Sequence, residues 1–488
     1  MTIRSCRVSV RWGAALICLF AAAPAHGAEA GSMTLEDVLR GALQPNSITT
    51  QLQDQNVKAA AGRVQQAKGA FDWNVNSQAG FQRLYVARAA NGVLTDQIQL
   101  INTYYYSANI GRLFRNGIEI DPGVTAYPGA GASPAQTAGL TQLRPSLGLK
   151  IPLLRGLGED SADAGERAAT DAYYGARQTR SFAIEQKVGT DVQTFWHCLA
   201  DDQIAEIAES TYRNMEAYHE SLDKLAQRGM LEPTNAQQSS AKDVVQKISA
   251  EQARATATVC KRDLAYAATG SVDAAIPALS GELPEVKGMT EAVGALNVDS
   301  LTQMALTRRH DLKAAEQNVQ AAIENQTYAH SNTSPELDLH LDPLGAIVSY
   351  TQSIQNNVAE GAEAQAAAAK GQAELALRQL QDQVHMDVSD AVRNLQNAAS
   401  QWAELESAEH QMEGVVGDAN KQARYGSITW LDFLNAQVQL SQVRQQVVNA
   451  RLQFALSIVG LRLVTGSVDL DGGTVASIAT QLTTLPLT

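Results

Sequence analysis

Two different hydrophobic periods alternate along this chain. From Trp73 the odd positions Trp73, Val75, Ala79, Phe81 and Tyr85 are mostly apolar, against polar Asn74, Asn76, Gln78 and Gln82. The same period of two recurs in Tyr104, Tyr106, Ala108 and Ile110, in Ile118, Ile120, Val124 and Ala126, and in Leu147, Leu149, Ile151 and Leu153. This predicts four strands with one apolar and one polar face, the second and third joined by a tight turn at Asn116-Gly117. Alternation over about ten residues is the habit of membrane-barrel strands, apolar outward and polar inward. An antiparallel sheet with one wet face alternates identically. The run Tyr104, Tyr105 and Tyr106 has the composition of an interfacial aromatic belt.

Elsewhere the period is helical. Leu377, Leu380, Val384, Val388, Ala391, Leu395, Ala398, Trp402, Leu405, Ala408, Met412, Val415 and Ala419 recur every 3.5 residues on average, the coiled-coil spacing. The many alanines in this seam permit close helix approach.

The chain is also duplicated. Gln55-Asn-Val-Lys-Ala-Ala60 matches Gln317-Asn-Val-Gln-Ala-Ala322, and Gly229 precedes Asn235 by the same six residues that separate Gly426 from Asp432. Each half reads as helix, strands, long helix, glycine turn, helix. The predicted helices are 34–70, 159–229 and 234–270, then 300–331, 356–426 and 429–466. Each long helix would run roughly 105 Å at 1.5 Å per residue, about the combined length of the two shorter ones in its half. Short helices stacked end to end beside a long one make a rod or cylinder. A coiled-coil scaffold or adaptor without a pore is the competing reading.

The N-terminus adds an address. Arg4, Arg7 and Arg11 precede an apolar core at 13–23 and a small-residue exit at 24–30, the layout of a secretory signal. Cleavage is expected between Gly27 and Ala30. Ile17 before Cys18 is too large for a lipoprotein signal, so no lipid anchor is expected.

Composition then removes alternatives. Charged residues are 18% of the 488 and aromatics 5%. The mean hydropathy is −0.19, and the apolar run at 13–23 is far short of the roughly 20 residues a membrane helix needs; a polytopic helical transporter is excluded. A net charge of −13, becoming −16 once the three signal arginines are lost, and the lack of a basic run argue against nucleic acid as partner. The sequence contains no GxxxxGK, HExxH, GxSxG or CxxC, so neither an enzyme nor a cofactor is expected. His219 and Asp223 stand one helical turn apart, and His197 adjoins Cys198, but such pairs on long helices are usually solvated surface; no metal site is expected.

Signal peptide, duplicated helical hairpins, alternating strands and glycine tips together resemble the TolC outer-membrane efflux family. The most specific stretch is Ile151-Pro-Leu-Leu-Arg-Gly-Leu-Gly158, similar to the segment with which members leave the barrel and enter the long periplasmic helix. Arg424-Tyr-Gly-Ser-Ile-Thr-Trp-Leu-Asp432 resembles the turn at the periplasmic tip. The resemblance covers about residues 33–470. It implies an α+β membrane protein, a homotrimer whose protomers share one outer-membrane β-barrel and one periplasmic coiled-coil tunnel. It further implies a passive exit duct for efflux or type I secretion, contacting outer-membrane lipid, a periplasmic adaptor and an inner-membrane pump of a Gram-negative bacterium. The layout on this reading is signal peptide 1–28, helix 33–70, strands and loops 71–156, helical hairpin 157–270, linker 271–299, helix 300–331, β-hairpin 332–355, helical hairpin 356–466 and tail 467–488.

The second half departs from the family. Only 336–341 and 346–351, joined by a turn at 342–345, are available as strands, and arms of about six residues are short of the 9–11 that cross a bilayer. All four spanning strands per protomer, twelve per trimer, are therefore expected from 73–153, with the 336–351 hairpin at the periplasmic rim. The alternative keeps that hairpin in the barrel, with Leu337, Leu339 and Leu341 facing lipid, and makes Asn116-Gly117 the turn of an extra, non-spanning hairpin.

At the tips, Gly229 and Gly426 are expected to end helices with positive φ, and with Thr429 to form the adaptor-contacting surface. Asp432, with Asn435 one turn later and Asn235 as its counterpart in the first half, is the candidate periplasmic aperture. Three converging carboxylates would attract cations. Capping of the last helix together with Thr429 is an equally good role for Asp432. Cys198 and Cys260 lie 33 residues before and 29 residues after the tip centre. The implied axial offset of about 6 Å is near the limit for a disulfide and leaves bridge and free thiols both open.

Overall fold

The computed structural model describes residues 32–486 apart from 46, 91–92, 129–140, 230–231, 286–287, 344, 426 and 471. The signal segment 1–28 and Gly426 therefore lie outside the described residues. The helices are α1 (Leu35–Ala42), α2 (Ile48–Lys68), α3 (Glu159–Ala162), α4 (Ala164–Gln227), α5 (Pro233–Thr269), α6 (Met289–Gly294), α7 (Val298–Arg308), α8 (His310–Ser331), α9 (Asn357–Arg424), α10 (Trp430–Val464) and α11 (Val475–Thr483). The strands are β1 (Asn74–Ala90), β2 (Val93–Leu113), β3 (Glu119–Pro128), β4 (Thr141–Pro152), β5 (Glu336–Asp342) and β6 (Gly345–Thr351).

Three helices expected as continuous are broken. The first becomes α1 and α2, because Pro45 disfavours helical geometry at Gln44 and Thr34 starts α1 with its own capping box. The one expected over 159–229 is interrupted at Asp163, whose φ of −103° and ψ of 2° separate α3 from α4. The expected 300–331 helix divides at Arg309, whose ψ of 128° leaves the helical region. The linker carries α6 and the tail carries α11, neither of which was expected.

The long helices have 64 residues in α4 and 68 in α9, about 96 and 102 Å. The α2 helix lies beside the sheet-side part of α4, where Arg180 pairs with Asp54. The α5 helix lies beside the remainder, where Lys261 pairs with Asp202 and Arg254 with Glu209. They meet near α1, at a point where backbone approaches backbone: a Cβ on Gly41 would stand 2.5 Å from the Ala268 carbonyl oxygen. The α8 helix packs on α4, tied by the Arg167–Glu324 pair and by Gly175 facing Asn318, and on α9, where His330 lies 2.7 Å from Glu363. Arg309, almost fully buried, joins α8 to α9 through Asp387 and holds Asp311 at 2.7 Å.

Three apolar clusters run down the rod. One gathers α1, α4, α10 and α11 around Phe195, Trp196 and Leu39. A second joins α7, α9 and α10 through Leu395, Trp402 and Phe454. The third, near the tips, packs Met215 and Leu222 of α4 against Val416 of α9 and Phe433 of α10. The α9 seam follows the expected positions from Val384 to Trp402, then drifts: Val416 is buried whereas Val415 is 52% exposed. A nearly straight helix has 3.6 residues per turn and falls behind a strict 3.5 repeat. The α10 helix is apolar enough to cross a membrane by composition, but its most apolar stretch is 56% buried inside this packing, as a core helix is.

All six strands form one antiparallel sheet in the order β1-β2-β3-β4-β5-β6. The hairpin of the second half is thus continuous with the strands of the first. Its β5 meets β4 only over Leu149, Lys150, Ile151 and Pro152, opposite Leu341, His340, Leu339 and Asp338. These are the last residues of β4 before the helices, so the hairpin occupies the helix-side margin of the sheet. Neither sequence expectation anticipated this combination. The hairpin sits at the margin, yet Leu337, Leu339 and Leu341 share the face of Ile151 and Leu149 through that register. Facing lipid therefore does not separate the two arrangements. The Asn116-Gly117 turn, for its part, joins two strands of the main sheet and not a separate hairpin.

Candidate functional site

The sheet has two chemically opposite faces. Register places Val75 opposite Ile110, Phe81 opposite Tyr104 and Ala79 opposite Tyr106. The row continues through Val124, Leu147 and Leu149 to Leu339 and Val348. Phe81, Tyr104, Tyr106, Ile110, Leu147 and Val348 are each more than 40% exposed, a large apolar surface without cover. The opposite face is polar. There Asn109 donates to both oxygens of Asp121, at 2.8 and 2.9 Å, and Lys150 holds Asp338 at 2.8 Å and Glu336 at 3.0 Å. Tyr105 also falls on this face, lying over Gly80, where a Cβ would come within 2.3 Å of its ring. Of the expected aromatic run, only Tyr104 and Tyr106 belong to the apolar side.

Aromatic residues stand at two levels of the apolar face. Phe81 and Tyr104 pack at a tilt of 46° with centroids 5.1 Å apart at one level. At the helix-side end stand Trp73 and Phe114, with the Arg112 guanidinium 5.4 and 5.1 Å from their ring centres. Between these two levels, no charged side chain falls on the apolar face among the described residues.

The sheet joins the helices through two glycine-dependent turns. Gly117 has φ +87°, and a Cβ there would meet the Gly156 carbonyl oxygen at 2.1 Å. The β2–β3 turn thereby tucks against the 152–158 segment, where the Asn116 carbonyl accepts from the Gly158 amide at 3.3 Å. Gly156 and Gly158 adopt φ +82° and +87°, turning the chain from β4 into α3 and α4. A cavity of about 500 Å³ opens at this junction, lined by Phe71, Glu119, Lys150, Arg155 and Glu166 among others.

At the far end the expected tip residues divide. Gly229 follows α4 with φ +72°, a helix-ending conformation that suits glycine. Thr429 is the N-cap of α10: its hydroxyl accepts from the Asp432 amide at 3.2 Å, while the Asp432 carboxylate accepts from the Thr429 amide at 3.1 Å and hydroxyl at 2.7 Å. This reciprocal capping box engages one carboxylate oxygen and leaves the residue exposed. Asn435 is also exposed, and its side-chain oxygen accepts from Lys242 of α5. That contact between the two hairpins has no signature in sequence spacing. Asn235 lies in the first turn of α5, just after Pro233. Nearby, Tyr218 of α4 packs edge-on against Phe433 at 5.0 Å and lies 6.1 Å from Trp430, binding the two hairpins together.

Cys198 and Cys260 are joined, with Cα atoms 5.3 Å apart, stapling α4 to α5. The His219–Asp223 pair does not assemble as spaced: Asp223 accepts from Gln227 at 2.7 Å, and His219 instead lies near Asp243 of α5. Burial pushes the Asp243 carboxyl above its ordinary range, with His219 opposing and Glu216 adding to the rise. Among the described residues no three potential metal ligands cluster.

No family model and no curated protein sequence matches the chain. Solved structures do. The CmeC outer membrane channel of Campylobacter jejuni superposes with a TM-score of 0.65 at 13% identity, covering 93% of this chain and 90% of that one. The outer membrane protein VceC of Vibrio cholerae gives 0.62 at 16% identity, covering 88% and 96%. The MtrE outer membrane channel of Neisseria gonorrhoeae, in its open state, gives 0.52 at 13%. At such identities the likeness establishes the fold, which is that of the TolC-like outer-membrane channels.

Proposed function

We propose that this chain, folded as the TolC-like outer-membrane channels are, is one protomer of a homotrimeric outer-membrane duct with a large periplasmic portion. One observation carries the reading: a sheet with one apolar and one polar face, open at both edges, stands on helices about 100 Å long. The first and last of the long strands, β1 and β4, run in opposite directions, so beyond the short β5–β6 hairpin β4 of one copy can pair antiparallel with β1 of the next. An exposed sheet edge is a template for such pairing, and closure of a barrel is the way a spanning sheet satisfies its backbone in lipid. With four long strands from each copy, three copies supply twelve spanning strands, and the short β5–β6 hairpins line the periplasmic rim. The apolar face then meets lipid, and the polar face, with Asp121, Lys150 and Asp338, lines the pore.

The tips at Gly229, Gly426 and Thr429 are the adaptor-docking end, and an inner-membrane pump supplies the energy. Transport is passive and involves no covalent chemistry, so the protein is not an enzyme. Asp432, Asn435 and Asn235 form the aperture, where three Asp432 carboxylates attract cations while each also caps its helix. Replacing Asp432 with Asn removes charge and weakens the cap, whereas Thr429→Ala weakens the cap alone. Loss of cation preference in the first variant and not in the second assigns the charge to the aperture.

The reading as a whole is tested with purified protein in planar bilayers and by sizing in mild detergents. Discrete conductance from a heat-dissociable trimer is expected. A monomer in several detergents that forms no pores would overturn it and favour a periplasmic scaffold.

A further inference from the structure

We propose that Trp73, Arg112 and Phe114 form a binding site for the phosphate of a membrane phospholipid, at the helix-side boundary of the apolar band. The proposal rests on reading the apolar sheet face as the lipid face.

Position comes first. Tyr104 and Arg112 are eight residues apart on β2, and Phe81 and Trp73 are likewise eight apart along β1 and its approach. Eight residues span about 27 Å along a strand, and a barrel tilt of 35–45° reduces this to roughly 20 Å along the membrane normal. That is close to the ~25 Å height of an outer-membrane apolar band. If the Phe81–Tyr104 pair marks one interface, Trp73, Arg112 and Phe114 stand at the other, on the periplasmic side.

The chemistry at that level is specific. Arg112 follows the face of Ile110 and opposes Ile120, so it projects from the apolar side of the sheet. Its Nε donates to the Phe71 carbonyl oxygen at 3.1 Å, and the rings of Trp73 and Phe114 flank the guanidinium. These contacts fix its plane but leave its two terminal nitrogens without an acceptor, and without a carboxylate in ion-pair range, among the described residues. Neighbouring cations are engaged: Arg115 holds Glu166 at 2.7 Å, and Lys150 holds Glu336 and Asp338 on the opposite face. A fixed, always-charged fork with two open donors matches two phosphate oxygens. Ile110, 46% exposed, continues the face toward the other belt and offers the first acyl carbons an apolar wall. Trp73, 52% exposed, has the amphipathic ring favoured at headgroup level.

The test uses the full-length assembled protein in nanodiscs of phosphatidylethanolamine and phosphatidylglycerol. Quenching of Trp73 fluorescence by lipids brominated near the headgroup or deep in the chain reads its depth, with Trp73→Phe supplying the background of the other tryptophans. Native mass spectrometry then counts phospholipids retained after release into detergent. Stronger quenching by the shallow label is expected, with about one fewer retained phospholipid per protomer in Arg112→Gln and weakened retention in Arg112→Lys. Inorganic phosphate at 10 mM, used as competitor, should displace none. Equal retention in wild type and Arg112→Gln, with Trp73 still quenched at shallow depth, overturns the site and leaves the membrane reading intact. Displacement by inorganic phosphate overturns it in favour of a free-anion site. Absence of quenching by either label removes the lipid-facing sheet, and the site falls with it.

Discussion

Breaking the Cys198–Cys260 bridge should loosen α5 from α4 while leaving the α9–α10 hairpin unchanged. The two cysteines are 62 residues apart in sequence. Closing a loop of that size removes about 4 kcal/mol of chain entropy from the opened state on the chain-entropy account, or roughly a thousandfold in an opening equilibrium. The variant of choice is Cys198→Ala with Cys260→Ala, because Cys198 is fully buried and a serine hydroxyl there would need an acceptor. The assay is amide hydrogen exchange by mass spectrometry on the assembled protein, read peptide by peptide.

Openings that separate α5 from α4 across the bridge carry the full effect. Amides of α5 around residues 250–269 should therefore lose up to about a thousandfold in protection. Fraying confined to the tip leaves the bridge in place and should respond less. Peptides from α10 serve as the internal reference, since nothing comparable staples them to α9. Equal change in α5 and α10, or change in neither within about threefold, would refute the view that the bridge holds this hairpin in place.

Phe433→Ala empties the centre of the tip cluster, where Phe433 is fully buried against Tyr218, Met215 and Val416; a cost of about 3–5 kcal/mol is expected, read as faster tryptic cleavage at Lys421 and Arg424. Asp201 is held above its ordinary pKa by burial, with His197 opposing. Its contribution to stability is therefore full below the unfolded pKa and lost as pH rises through the folded one. Asp201→Asn should raise thermal stability at pH 7.5 and leave it unchanged at pH 3; an equal gain at both would show that charge burial is not the cause. Gly117→Ala must both strain a φ of +87° and drive a Cβ to 2.1 Å from the Gly156 carbonyl oxygen, whereas Gly156→Ala strains φ alone because nothing lies within 4 Å. Assembled protein should fall clearly further in the first variant, and similar yields would argue against the close turn.

What the sequence disclosed depended on how many elements a feature involves. Strand alternation needs only the two faces of one strand, and the apolar row from Val75 to Leu149 could be read directly. Duplication and the long helices were legible for the same reason, being repeats and periods within one segment. The breaks at 43–47 and Arg309 were less so. Pro45 was visible, but Arg309 leaves the helix in company with a buried network to Asp311 and Asp387, and the last of these is supplied by another helix. Asp432 was suited to two roles by type and spacing, and it is the folded turn that returns its carboxylate to Thr429. Contacts between hairpins, such as Lys242 with Asn435 and Tyr218 with Phe433, leave no periodic trace at all.

The 336–351 hairpin shows where counting residues misleads. Seven residues in each arm are too few to cross a bilayer, and from that shortness alone a detached element at the rim follows. Yet the alternation of Leu337, Leu339 and Leu341 against Asp338 and His340 carries a second message, that both faces already have assigned environments. Register with β4 satisfies both. The hairpin extends the sheet sideways at its base, keeping leucines in line with Ile151 and Leu149, and lets Asp338 and Glu336 meet Lys150 on the polar side. Shortness limited how far the hairpin reaches along β4, while the alternating pattern decided which way its faces turn. A strand too short to span can still widen the sheet, and here it forms the outer edge of that sheet at its base.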